Sequence, residues 1–206
     1  TVDMLIQPSS AINVANLMAD SQLKGSVGSV LQQLIVSGDI NGEFHLNLPL
    51  NDTENALASG IINFVDNTAV LQTPLMHFEQ VNGQLSFEND QISTKNLSLN
   101  WQGLPLTLEV NGNDEVDYYD TGIVLKADWE KNAWLPHISP NLKKYFDGRM
   151  RLQGDLSLYQ HHSGGFSYQF IIDSDLEQVQ LNLPEPYRKL AQAKTPLKIE
   201  VNGQLE

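Results

Sequence analysis

Five histidines and one acid-rich stretch are the side chains of this chain with the chemistry to hold a metal ion or move a proton. His161 and His162 are adjacent and lie beside Gly164-Gly165. A metal site needs converging ligands with an orienting shell behind them, and no Asp, Glu or His sits one helical turn from this pair. The pair therefore reads as part of a solvated hairpin loop. His45, His77 and His137 stand alone, as surface imidazoles do. Asp114, Glu115, Asp117 and Asp120 crowd residues 111–120, which read as a loop after a strand. Such a loop could offer oxygens to calcium, but the glycine and terminal glutamate of a calcium-binding helix–loop–helix are missing, so a solvated acidic turn is the plainer reading. Glu79 and Glu88 flank an Asn-Gly step and resemble the carboxylate pairs of glycoside chemistry, yet with 25 acidic residues chance pairs are expected. There is no G-x-S-x-G elbow, no H-E-x-x-H, no phosphate-cradling glycine loop and no cysteine. These residues call for no enzyme, no metal and no cofactor.

The composition narrows the partners. Twenty-five acidic against 12 basic side chains give a formal charge of −13, which repels a phosphate backbone, and the basic residues form no stripe beyond Lys143-Lys144 and Arg149/Arg151. Nucleic acid is thereby excluded as an expected partner, and a polybasic contact with an anionic membrane is disfavoured. No apolar run approaches the roughly 18 residues that span a bilayer. Any contact with lipid would have to be apolar.

The elements that must position these residues are strands. Phe44, Leu46, Leu48 and Leu50 alternate with polar neighbours, and so do Leu97, Leu99 and Trp101, and Leu104, Leu106, Leu108 and Val110. Leu85 and Phe87 form another pair; Ile61–Val65 and Val70–Phe78 read as two short strands, with Pro74 at an edge, bulge or end. Ile123, Leu125, Ala127 and Trp129 continue the pattern, followed by Met150–Leu158, a His161–Gly165 turn, Phe166–Ile172, Val179–Leu183 and Leu197–Val201. Period-two alternation with one polar face marks half-exposed antiparallel sheet. Apolar spacing predicts short helices over residues 25–35, 141–146 and 185–193.

Val-Asn-Gly-Gln-Leu occurs at Val81–Leu85 and again at Val201–Leu205, and Ile40-Asn41-Gly42 and Val110-Asn111-Gly112 repeat its core. Asn-Gly tolerates the positive φ angles of two-residue hairpin turns, so these four steps predict hairpins. A chain that re-enters an earlier strand just before it stops also reads as an excerpt from something longer and repetitive. Residues 1–125 are expected to form a first repeat unit and residues 126–206 a second, truncated one, within one continuous sheet.

The order of these pieces resembles a known family. The run from Val30 through Ser37-Gly38-Asp39-Ile40-Asn41-Gly42-Glu43-Phe44 to Leu48-Pro49-Leu50 is similar to the repeated helix–Gly–strand–Pro-Leu block of the YhdP family of large AsmA-like envelope proteins. Leu181-Asn182-Leu183-Pro184-Glu185-Pro186, followed by Thr195-Pro196-Leu197, looks like another of its blocks, and Gly103-Leu104-Pro105-Leu106 fits as well. The resemblance covers about residues 25–206. It implies a mainly β fold: a repeated antiparallel, strongly curved sheet, a β-taco-like trough with a few short helices. It implies further that phospholipid slides along the apolar concave face, carried between the inner and outer membranes across the periplasm. The implied partners are phospholipid acyl chains, neighbouring repeats of a longer chain and an inner-membrane anchor outside this sequence. Covering apolar wall with acyl chain gains about 25 cal/mol per Å² removed from water.

On alternation, the positions expected to face lipid are Phe44, Leu46, Leu48, Leu85, Phe87, Leu97, Leu99, Trp101, Leu106 and Leu108; a one-residue slip in register would reverse each strand. The strand pattern alone leaves a second reading open, a structural or adhesive β-repeat module with a closed core. A third reading, a glycan-binding β protein, would need an aromatic platform beside paired acids.

Overall fold

The computed structural model describes residues 2–10, 34–47, 57–72 and 75–205. The fold is mainly β. Its main sheet has eleven antiparallel strands: β1 (Val2–Ser10), β2 (Leu34–Ser37), β3 (Asp39–Asn47), β4 (Leu57–Leu71), β5 (Met76–Glu88), β6 (Gln91–Trp101), β7 (Leu104–Asp114), β8 (Tyr118–Trp129), β10 (Met150–His161), β11 (Phe166–Ser174) and β13 (Leu197–Leu205). They lie side by side in the order β1-β3-β4-β5-β6-β7-β8-β10-β11-β13, with β2 beside the last turns of β4. Nearest neighbours in sequence pair in space, which is the meander that short turns between alternating strands produce.

Two excursions interrupt the meander at the same end of the sheet. Residues 130–149 carry a single-turn helix, α1 (Lys131–Trp134), two 3₁₀ turns at Leu135–His137 and Lys143–Tyr145, and β9 (Phe146–Gly148). Residues 175–196 carry β12 (Val179–Leu181), which pairs with β9 in a separate two-stranded sheet. Trp134 anchors this cap: it is 2% exposed, stacks edge-on against Phe146 and donates its indole N–H to the Gly148 carbonyl at 3.2 Å. A buried indole needs such a partner for its one polar atom.

Several expectations change. The four Asn-Gly steps are not hairpin turns; each lies inside a strand, β3, β5, β7 or β13. Their glycines make room rather than turns. A Cβ on Gly42 would stand 2.0 Å from the Ile61 carbonyl oxygen, and one on Gly112 would stand 2.6 Å from the Tyr119 hydroxyl. The asparagines face outward, where Asn63 donates to Asn41 and Gln84 to Asn63 across β3, β4 and β5. The reversals instead use Asn89-Asp90, Gln102-Gly103, residues 115–117 and residues 162–165, the last within the turn expected there.

The expected helix over 185–193 is absent. Lys189 exchanges both backbone hydrogen bonds with Leu181, and its ammonium donates to the Leu176 and Val179 carbonyls at 2.7 and 2.6 Å. Pro184 and Pro186 bias their preceding residues away from the helical region, so this pairing outcompetes a helix. Residues 141–146 form one 3₁₀ turn, and Phe146 already pairs with Leu181. Of the expected helix over 25–35, residues 25–33 lie outside the described residues, while Leu34 and Ile35 belong to β2. Ile61–Val65 is not a short strand of its own: β4 runs unbroken through it to Leu71, and β5 begins only at Met76. Pro74 lies outside the described residues.

Candidate functional site

A line of bulges crosses the first half of the sheet and sets the shape of its apolar face. Registers slip by extra residues between Phe64 and Ala69 on β4, between Glu79 and Gln84 on β5, and between Ser93 and Leu97 on β6. Positive φ angles fall on the same line, at Gly38, Asp66, Gln80, Gly83 and Asn96. Each bulge bends its strand and adds twist, so bulges stacked on adjacent strands form a crease. From β7 to β13 the pairings run without a shift.

Amide side chains hold the crease. Asn67 is 2% exposed; its Nδ2 donates to the Ser37 and Asp39 carbonyls, both at 3.1 Å, and its Oδ1 accepts from the Val65 amide at 2.8 Å. It thus replaces the ladder bonds lost where β2 gives way to β3. Asn82 continues the seam, accepting from the Asp66 amide at 3.0 Å and donating to the Gln80 carbonyl at 2.8 Å.

The creased face encloses an apolar groove of about 120 Å³, lined by side chains from β2, β4, β5, β6, β7, β8, β10 and β11. Phe64 and Leu71 on β4 and Phe166 and Phe170 on β11 belong to the same wall. Among the described residues the lining holds no Asp, Glu, Lys, Arg or His. At the cap end the groove stops against a packed core, where Trp129, Trp134, Leu104, Leu106 and Val179 are buried together. Trp129 donates its indole N–H to the Pro105 carbonyl at 2.6 Å.

Of the positions picked out by alternation, Leu85, Leu97, Leu99 and Leu108 line the groove. Leu106 and Trp101 pack nearer the cap, and Phe44 and Phe87 belong to a smaller cluster with Ile40, Ile62, Ile92 and Tyr119. Leu46 lies in β3, but the disposition of its side chain is not among the described features, and Leu48 lies outside the described residues. Alternation also carries to the groove residues not singled out from sequence, among them Ile123, Leu156, Leu158, Phe166 and Phe170.

Tyr119 was hidden by the reading of residues 111–120 as a loop, and Thr121 lay between that loop and the strand read from Ile123. Only residues 115–117 turn; Asn111–Asp114 completes β7, and β8 starts at Tyr118. The signal was there as alternation, Tyr119, Thr121, Ile123, Leu125, masked by the turn-forming Asn, Gly and Asp around it.

The polar clusters do no converging work. His162 places Nε2 2.9 Å from Asp114 Oδ1 and Nδ1 3.3 Å from the Val116 carbonyl, tying one hairpin to the next. Glu79 and Glu88 sit nine residues apart on β5, roughly 30 Å along an extended strand at about 3.3 Å per residue. Among the described residues no three His, Asp or Glu side chains come together. The charges that are shifted are structural. The Arg149 guanidinium bonded to Asp128 holds that carboxyl below its ordinary value, the Gly148 amide and Lys131 do the same for Asp147, and the Glu177 amide and Lys194 for Asp175.

The family model described as YhdP protein matches residues 5–206. The chain is 26% identical over 188 residues to the intermembrane phospholipid transporter YhdP of Escherichia coli (strain K12), a match covering 90% of this chain and 14% of that protein. The chain therefore spans about one seventh of that relative's length. No solved structure matches it.

Proposed function

Because this chain belongs to the YhdP family, we propose that it is a segment of a bridge-like lipid-transfer protein and that its apolar groove carries the acyl chains of phospholipid. The relative's name, an intermembrane phospholipid transporter, supplies the cargo class. One observation carries the reading for this segment: an uncharged groove walled by successive strands of a single sheet. An uncharged apolar wall holds acyl chains through area removed from water rather than through a fixed set of polar contacts, which lets them move along it. Catalysis has no part in this function.

Residues 1–125 and 126–206 act as successive repeat units, and further repeats of the longer protein extend the groove beyond them. β13 supports that extension. It pairs only with β11 among the described residues, and Ile199 and Val201, in register with Ile172 and Phe170, are 43% and 45% exposed. The location that follows is the periplasmic side of a Gram-negative envelope, with the anchor to the inner membrane elsewhere in the protein; no helix among the described residues is long and apolar enough to cross a bilayer.

Site-specific photo-crosslinking tests this reading. A photoreactive phenylalanine at Leu97, Leu99 or Leu108 is expected to capture phospholipid in cell envelopes, while the same probe at Ser98 or Thr107, on the other face of the same strands, captures none. Lipid adducts absent from all five positions would instead favour the closed structural module.

A further inference from the structure

The groove is not uniform across its width. Among the described residues its lining near the cap is apolar, with Leu71, Met76, Leu99 and Leu125, whereas its polar side chains lie toward the opposite rim: Thr94 on β6, Tyr119 and Thr121 on β8, and Gln160 on β10. That rim is formed by the β5–β6, β7–β8 and β10–β11 hairpins. Two of the four already have partners. Thr94 Oγ1 accepts from the Val110 amide at 2.7 Å, and Gln160 donates to the Gly165 carbonyl at 3.0 Å.

Tyr119 and Thr121 have none. They are 0% and 1% exposed, and neither hydroxyl has a hydrogen-bond partner among the described residues. They lie two residues apart on one strand and so on one face. Thr121 pairs with Gly112, and the Tyr119 hydroxyl leans over that glycine, close enough that a Cβ there would clash with it. Two neighbouring hydroxyls buried without a partner are costly to a fold unless something supplies an acceptor.

We infer that Tyr119 and Thr121 form a hydrogen-bonding station for the ester carbonyls of a diacyl glycerolipid, whose chains run from there toward the cap; this rests on the lipid-carrying function proposed above. The station gives the lipid a direction across the groove: tails at the sealed cap end, head group leaving at the hairpin rim. Burial first, and the carboxylates of Asp90 and Asp114 next, push the Tyr119 phenol well above its ordinary value of 10.0, so it stays a donor in surroundings hostile to another anion. A ligand able to accept from these hydroxyls must shift the apolar side chains now covering them.

The test compares dimyristoyl phosphatidylcholine with its ditetradecyl ether analogue, which has the same chains and head group but no carbonyls. Binding to the full chain is measured by displacement of a fluorescent phospholipid. The ester is expected to bind about tenfold more tightly than the ether, the size of one or two recovered hydrogen bonds. Tyr119→Phe combined with Thr121→Val should erase that preference. Equal affinity of the unaltered protein for ester and ether overturns the station and leaves the groove standing. Failure of both lipids to displace the probe overturns the groove and the station together. The ester–ether comparison needs no variant, so misfolding of the double substitution would not blunt it.

Discussion

Asp120 shows how a single side chain can be out of balance in an otherwise settled sheet. Its Oδ1 is buried without a partner, and burial, followed by the nearby Glu115 carboxylate, raises its pKa above the ordinary 3.8. A carboxyl raised in the folded state carries no penalty where folded and unfolded chains are both protonated. The penalty grows as pH rises through the unfolded value and is complete above the folded one. Asp120→Asn is therefore expected to raise the melting temperature at neutral pH and to leave it unchanged well below pH 3.8, as read by calorimetry at both values. Asp128, Asp147 and Asp175 have the opposite sign. Their pKa values are lowered by bonded partners, so their contribution is present above 3.8 and fades as pH falls through the lower folded values. An equal response of Asp120→Asn at both pH values would mean that its charge is not what costs stability.

Among the elements, the crease was the least legible from sequence and matters most for shape. Period-two alternation at Leu97, Leu99, Leu106 and Leu108 could be read directly, because a half-buried strand needs no special residue to keep its faces apart. The bulges could not. They show in sequence as Val65-Asp66-Asn67, Glu79-Gln80 and Lys95-Asn96, polar pairs identical in type to those that begin turns. The same ambiguity sent the Asn-Gly steps into hairpins and residues 111–120 into a loop. Only the partner strand decides, by donating a backbone group to the amide side chain or by leaving space under it. Asn67 is the clearest case. Asn67→Ala would strip partners from the Ser37 and Asp39 carbonyls and the Val65 amide at once. The expected loss is about 3 kcal/mol, near 1 kcal/mol for each stranded group, measured by urea unfolding. Hydrogen exchange should accelerate in β2, β3 and β4 and remain slow in β10 and β11, whose pairing runs without bulges. A uniform acceleration across the sheet would show that the crease is not a separate unit.

For the whole molecule, charge and groove act on different parts of one lipid. The chain carries −13, yet the groove lining has no charged side chain among the described residues, so the grip on acyl chains should be insensitive to salt. The head group instead meets whichever rim it leaves by. At the hairpin rim stand Asp114, Glu115 and Asp117; in the cap at the other end stand Lys143 and Lys144 on one segment and Arg188 on the other, brought together where the Asn182 amide donates to the Tyr145 carbonyl. Three carboxylates about 10 Å from an anionic phosphate in water repel it by roughly 1 kcal/mol, a fewfold loss of affinity. With the head group at the hairpin rim, phosphatidylglycerol should therefore bind about fivefold more weakly than phosphatidylcholine of the same chains near 0.01 M salt, where the Debye length is about 30 Å. The two affinities should converge near 1 M, where it is about 3 Å. Preference for phosphatidylglycerol at low salt would place the head group beside the cap lysines instead and reverse the direction of the lipid across the groove. Either sign is readable in one titration series, because the acyl contribution cancels between lipids with identical chains.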